Sequence, residues 1–293
     1  MPLLTLAGGL FALQPYLGHT QGDLNWHIAG NGVNVLSELD YTDVSGTTVG
    51  LKGQWSHPFL AADHWRILVR ADLNSTSISN GNYQDSDFTG NNRTAEFSRS
   101  VGDVTGTDLD QFQLGFGLRY QITPNQALLG WGGAIHNRQD INFRNGVQVV
   151  SNPPINVSLG PINGLDSEYR ASWSGGWGAG GWQLTLDRWQ LDLELLRLWG
   201  TYRGTGRWNL RTDFAQPVSF LHQADMTGWQ FQASLTWHYS EQLSFNLTYE
   251  DSALETDPGV DYTYFSSGST FEALFNQASW DSQQWRCGLT FQW

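Results

Sequence analysis

Cysteine, lysine and long apolar runs are nearly missing from this chain, and each shortage excludes something. One cysteine, Cys287, stands among 293 residues, which rules out an internal disulfide and any multi-cysteine metal site. Of fifteen cationic residues only Lys52 is a lysine, and the formal net charge is −13. So acidic a chain with so little lysine does not track a phosphate backbone, and nucleic acid is excluded as a partner. No uninterrupted apolar stretch reaches the ~20 residues that a transmembrane helix needs. The His-Glu-x-x-His, Gly-x-Ser-x-Gly and phosphate-loop patterns are missing as well, and the sequence implies no cofactor.

What is present is tryptophan, fifteen in all, with 33 glycines, and a strict alternation of apolar with polar residues. In Trp229–Tyr239 the odd positions are Trp229, Phe231, Ala233, Leu235, Trp237 and Tyr239, while the even ones are Gln230, Gln232, Ser234, Thr236 and His238. Phe112–Tyr120 repeats the pattern, with Arg119 on the polar side. Trp65–Leu73 does so again, with Arg66, Arg70 and Asp72 on the polar side. A period of two belongs to extended chain with two unlike faces. These runs exceed the usual strand of about five or six residues, and aromatics gather at their ends as interfacial girdles require.

The pattern predicts an all-β fold, a transmembrane antiparallel up-and-down β-barrel of about ten strands, forming a single domain over 1–293. The strands are expected at 4–27, 33–56, 65–77, 107–122, 127–144, 167–185, 189–208, 226–240, 243–256 and 282–293. Tight turns at 123–126, 186–189 and 240–242 alternate with long polar links near 78–106, 145–166, 209–225 and 257–281, as periplasmic turns alternate with extracellular loops. The inward positions are expected to carry Arg66, Arg70, Asp72, Arg119, Arg138, Arg170, Asp192, Glu194, Glu250 and Arg286, with His136 and His238. Paired charges in so narrow a lumen argue against a diffusion pore. The C-terminal alternation Trp285, Cys287, Leu289, Phe291, Trp293 makes Cys287 a small lipid-facing hydrophobe. Residues 1–13 lack a basic leader region and read as the start of the first strand. Localisation in a bacterial outer membrane follows, with membrane lipid, including lipopolysaccharide, as an expected partner.

Three stretches resemble the omptin family of ten-stranded outer-membrane aspartyl-type proteases: Asn34–Tyr41 (NVLSELDY), Asn82–Phe88 (NYQDSDF), and the order of strands and links along nearly the whole chain. The resemblance implies that Asp85 and Asp87 form one half of a catalytic site, facing an Asp-x-His pair that activates water with them. Two carboxylates a few ångströms apart share a proton, and a histidine held by an aspartate takes one from water near neutral pH. The second half departs from the family. Asp213 stands at the expected distance, but Ala215 occupies the place of the histidine. The nearest substitute is His222, inward by parity with the eighth strand, with Asp225 on the opposite face.

Three readings of Asp85 and Asp87 stay open here: solvated loop carboxylates, a hydrolytic site completed by Asp213 and His222, or a calcium site that recruits Asp103. The missing histidine favours a catalytically impaired relative that presents a charged extracellular mouth to a ligand or protein partner. An endopeptidase with a displaced histidine, cleaving basic polypeptides, is the alternative; an anchor subunit of an envelope assembly is a third.

Overall fold

Residues 9–59, 64–105 and 108–293 are described by a computed structural model. Among them are thirteen strands: β1 (Leu10–Gly30), β2 (Val33–Pro58), β3 (Trp65–Gly90), β4 (Thr94–Thr105), β5 (Asp108–Thr123), β6 (Gln126–Ser151), β7 (Gly160–Pro161), β8 (Ser167–Leu186), β9 (Trp189–Arg207), β10 (Phe220–His238), β11 (Leu243–Thr256), β12 (Gly259–Tyr264) and β13 (Thr270–Gln292). All pairings are antiparallel. β4 and β5 both lie between β3 and β6, β11 and β12 both lie between β10 and β13, and β7 is a short addition beside β6. The ring therefore has ten staves, and it closes where β1 pairs with β13 from Ala12 opposite Gln292 onward.

The expected barrel is present, with its short turns as foreseen, but the strands run further. The first stave begins at Leu10; the expected start at 4–8 lies outside the described residues. Most of 78–106, read as loop, is the upper part of β3 and the whole of β4, and β6, β10 and β13 likewise extend into 145–151, 220–225 and 270–281. β2, β3 and β6 each have 26 residues, which at about 3.3 Å per residue far exceeds the ~25 Å apolar band of a membrane barrel. Above that band the outer face turns polar and the inner face mixes rings with polar residues, so the apolar-out alternation fades in the sequence while the ladder continues.

Exposed Leu17, Val49, Leu73, Phe112, Trp199, Trp229 and Trp285 mark the upper edge of the apolar outer surface. Below that edge the outside is apolar and the inside polar; Cys287 lies exposed on the apolar side. Above it the relation inverts to that of a water-soluble protein, and Leu24, Trp26, Tyr41, Tyr169, Trp173, Tyr202 and Phe275 fill the interior as one cluster. The inversion corrects three assignments. Arg138, Arg170 and His136, expected inward, point outward, because Gln139, Tyr169 and Ile135 hold the neighbouring inward places.

At mid-height the lumen is closed by ion pairs. Arg70 bonds Glu194 at 2.6 Å and stacks over Trp131 and Trp177. Arg286 lies 3.3 Å from Asp72 and 3.0 Å from Glu250, and Tyr16 donates its hydroxyl to Asp72. All are buried, so each charge relies on its partners rather than on water.

Candidate functional site

Asp85 and Asp87 sit on β3, well above the apolar belt. Counting by twos from Arg70 and Asp72 would turn them outward. Two irregularities intervene in the pairing of β2 with β3: β2 has an extra residue between Thr42 and Ser45, where Asp43 has φ of 55°, and β3 has an extra residue between Ile78 and Asn80. Such a bulge adds one residue and flips the faces beyond it. Tyr41 and Tyr83 thus turn inward, and Asp85 and Asp87 follow the parity of Tyr83. Asp85 faces Leu39 and Ser100 in the ladder, and Asp87 faces Ser37 and Ser98.

Both carboxyls keep partial exposure but are packed round densely enough to be largely desolvated. Burial, then the neighbouring Asp87, pushes Asp85 well above the ordinary carboxylate range, against the pull of the Trp208 indole and Arg211. Burial raises Asp87 too, and the Ser37 and Ser98 hydroxyls and Arg211 oppose the rise. The two carboxyls form a dyad of raised pKa beside an arginine.

The other half of the expected site is elsewhere. Asp213, in the loop between β9 and β10, accepts two hydrogen bonds from Arg211, at 2.9 and 2.7 Å, and Arg211 stacks over Phe214 at 4.0 Å. That fork holds Asp213 below the usual carboxylate range. Ala215 is tied by its backbone N–H to the Tyr264 carbonyl. His222 does point inward, as parity required, and Asp225 is exposed on the opposite face. The His222 imidazole shares a hydrogen bond of 2.9 Å with the Tyr169 hydroxyl through Nδ1, and Nε2 lies 3.3 Å from Asp261. Phe275 and Phe220 stack on it at 4.4 and 4.9 Å, and Trp26 meets it edge-on at 4.7 Å. Burial lowers its pKa below the usual imidazole value, with Asp261 opposing. At neutral pH it is an uncharged member of an aromatic core.

Aromatic rings stand between the dyad and His222. Trp208 faces Asp85, Phe220 packs on Trp208 at 4.5 Å, and His222 lies behind Phe220. The structure thus brings Asp85 and Asp87 together, places Asp213 beside them through Arg211, and sets His222 apart with Tyr169, Tyr202 and Asp261. Asp103 is exposed and bonded by Asn145, and among the described residues no group of three potential metal-ligating side chains forms. Sequence reasoning missed Arg211, whose signal was its place two residues before Asp213, and Trp208 and Asp261, for which no sequence signal exists.

A closed ring of ten antiparallel staves, greasy outside over its lower part and polar within, defines a bacterial outer-membrane β-barrel of the omptin fold. The crystal structure of outer membrane protease OmpT from Escherichia coli superposes with a TM-score of 0.79, covering 97% of both chains at 11% identity. Outer membrane protein OprG from Pseudomonas aeruginosa aligns with a TM-score of 0.38 at 12% identity, over 98% of this chain and 96% of that one. No curated protein sequence matches the chain. The model of the family described as Pom, Protochlamydia outer membrane protein, matches residues 16–293, and the chain belongs to that family.

Proposed function

We propose that this barrel is a non-proteolytic relative of the omptin fold whose extracellular rim binds a ligand or protein partner. The observation that carries this reading is the aromatic wall between the Asp85–Asp87 dyad and His222. Hydrolysis by the carboxylate-and-histidine arrangement that the omptin resemblance implies needs a histidine able to take a proton from the attacking water within about 3 Å. His222 is sealed in a core, Asp213 is clamped by Arg211, and Ala215 has no proton to exchange. The rim keeps exposed carboxylates outside its ion pairs, among them Asp225, Asp257 and Glu272, and the chain as a whole carries −13. A cationic ligand fits that field.

The test is equilibrium binding of a fluorescent oligoarginine peptide to the refolded protein, followed by mass analysis of the peptide. Saturable binding that weakens as salt rises, with the peptide recovered intact, is expected. No binding at low salt, or cleaved peptide, contradicts the reading. One observation favours the endopeptidase alternative: Asp85 and Asp87 are both raised in pKa, and a pair of carboxyls of which one is protonated is itself able to activate water. That alternative requires turnover abolished by Asp85→Asn. Lipid partnership is supported separately by Arg138 and Arg170, which lie on the outer face above the apolar belt and share the single carboxylate of Asp140.

A further inference from the structure

The lower lumen, at the short-turn end of the barrel, holds a chamber of 390 Å³ that the extracellular site does not use. Its floor is the Arg70–Glu194 and Arg286 ion-pair layer, and its walls run down to the strand ends at Ser56, Arg66, Gln190 and His238. In a membrane barrel the short turns face the periplasm. The chamber is therefore a blind vestibule reached from that side.

The cations of its walls are not paired with carboxylates as those of the floor are. Arg66 and Arg119 are directly opposite each other across the β3–β5 ladder, an arrangement in which like charges destabilise a sheet. Neither is neutralised. Arg66 donates through Nη2 to the Ser56 hydroxyl at 3.0 Å, and Arg119 donates through Nε to the Gln183 carbonyl oxygen at 2.9 Å. Lys52, the chain's single lysine, also lines the chamber. Among the described residues no carboxylate lies within ion-pair distance of Lys52, Arg66 or Arg119. The one carboxylate on the wall outside the floor pairs, Asp192, is held by Gln183 at 2.8 Å and Gln190 at 2.7 Å. Gln183 thus bridges Arg119 and Asp192 and keeps them apart. Three cations meet one carboxylate on the walls while two arginines meet three carboxylates in the floor, so the confined space carries a net positive charge that is concentrated on the wall, away from the floor.

We propose that this vestibule binds a dianionic oxyanion, inorganic phosphate or a phosphate monoester, from the periplasmic side. The forward-facing N–H groups of two adjacent guanidiniums match the oxygens of a phosphate, and the lysine adds a point charge. A bound oxyanion offsets the positive wall and relieves the opposed arginines. The amide lining, Gln14, Gln54 and Gln232 among it, supplies further donors without adding negative charge.

Calorimetric titration of inorganic phosphate into the protein in an uncharged maltoside detergent tests this. One saturable site is expected, weakened at least tenfold by Arg119→Gln and by Arg66→Gln. Asp192→Asn is expected to tighten binding by removing the opposing charge, a gain that misfolding does not imitate. Arg203→Gln, on the outer surface, is expected to leave binding unchanged. Lack of a saturable site in a protein shown folded by its resistance to unfolding in cold dodecyl sulfate overturns the proposal. So does binding that survives both vestibule substitutions, or that follows Arg203.

Discussion

Arg286 is the residue on which the closed lumen leans most, and replacing it with methionine should show how strongly. Its guanidinium is about 5% exposed and serves two carboxylates, Asp72 at 3.3 Å and Glu250 at 3.0 Å, with the Tyr16 ring 5.2 Å away. Methionine fills much of the volume but removes the charge, leaving two buried carboxylates without a cation. Breaking a buried pair in this way costs about 3–5 kcal/mol, or roughly two to nearly four powers of ten in the folding equilibrium. Urea unfolding followed by tryptophan fluorescence in detergent measures it as a lower midpoint at unchanged slope. Adding Asp72→Asn and Glu250→Gln to Arg286→Met should return most of the loss, because the stranded charges are then gone. A single-variant loss below about 1 kcal/mol, the range of exposed pairs, or no recovery in the triple variant, refutes the view that charge pairing closes the lumen.

Stability should also respond to pH through the dyad. The Asp85 carboxyl has a raised pKa in the folded state, so folding retains a proton that the unfolded chain releases; its contribution is complete below the ordinary aspartate pKa and is lost as pH rises toward the folded value. Asp85→Asn should flatten that decline, visible as urea midpoints that converge between pH 5 and pH 8. His222 acts in the opposite sense: its folded pKa is lowered, so its contribution is present above the ordinary imidazole value and fades as pH falls. Wild-type midpoints between pH 7 and pH 5 should show that loss, and His222→Gln should reduce it. Gly206→Ala should destabilise by about 1–3 kcal/mol, since a Cβ there would lie 1.9 Å from the Phe220 ring; an unchanged midpoint would mean that the aromatic wall yields easily.

The membrane half of this barrel was readable because lipid imposes one rule on every strand, apolar out and polar in. Arg70, Asp72, Glu194, Glu250 and Arg286 obey it, and their inward placement followed from counting by twos. The extracellular half was not readable by the same rule, because water outside and packed rings inside reverse it. Arg138, Arg170 and His136 were misplaced for that reason, and the upper part of β3 looked like loop because both of its faces carry polar residues. The dyad was legible as a motif but not as a geometry, since the extra residue of β3 between Ile78 and Asn80 that turns Asp85 inward carries no distinctive sequence signal. His222 was placed on the correct face by parity. Its burial behind Phe220 and its approach to Asp261 depend on contacts among β8, β10, β12 and β13 that no local pattern announces.

The central claim is that the Asp85–Asp87 dyad does not cut peptides. Its most direct test is exposure of a mixed peptide library to the folded protein in detergent with lipopolysaccharide, read by mass spectrometry beside Asp85→Asn and His222→Ala. The account predicts that every peptide is recovered intact with all three proteins. Cleavage by the wild type that disappears in both variants would contradict it, and would mean that the aromatic wall opens to bring His222 to the dyad.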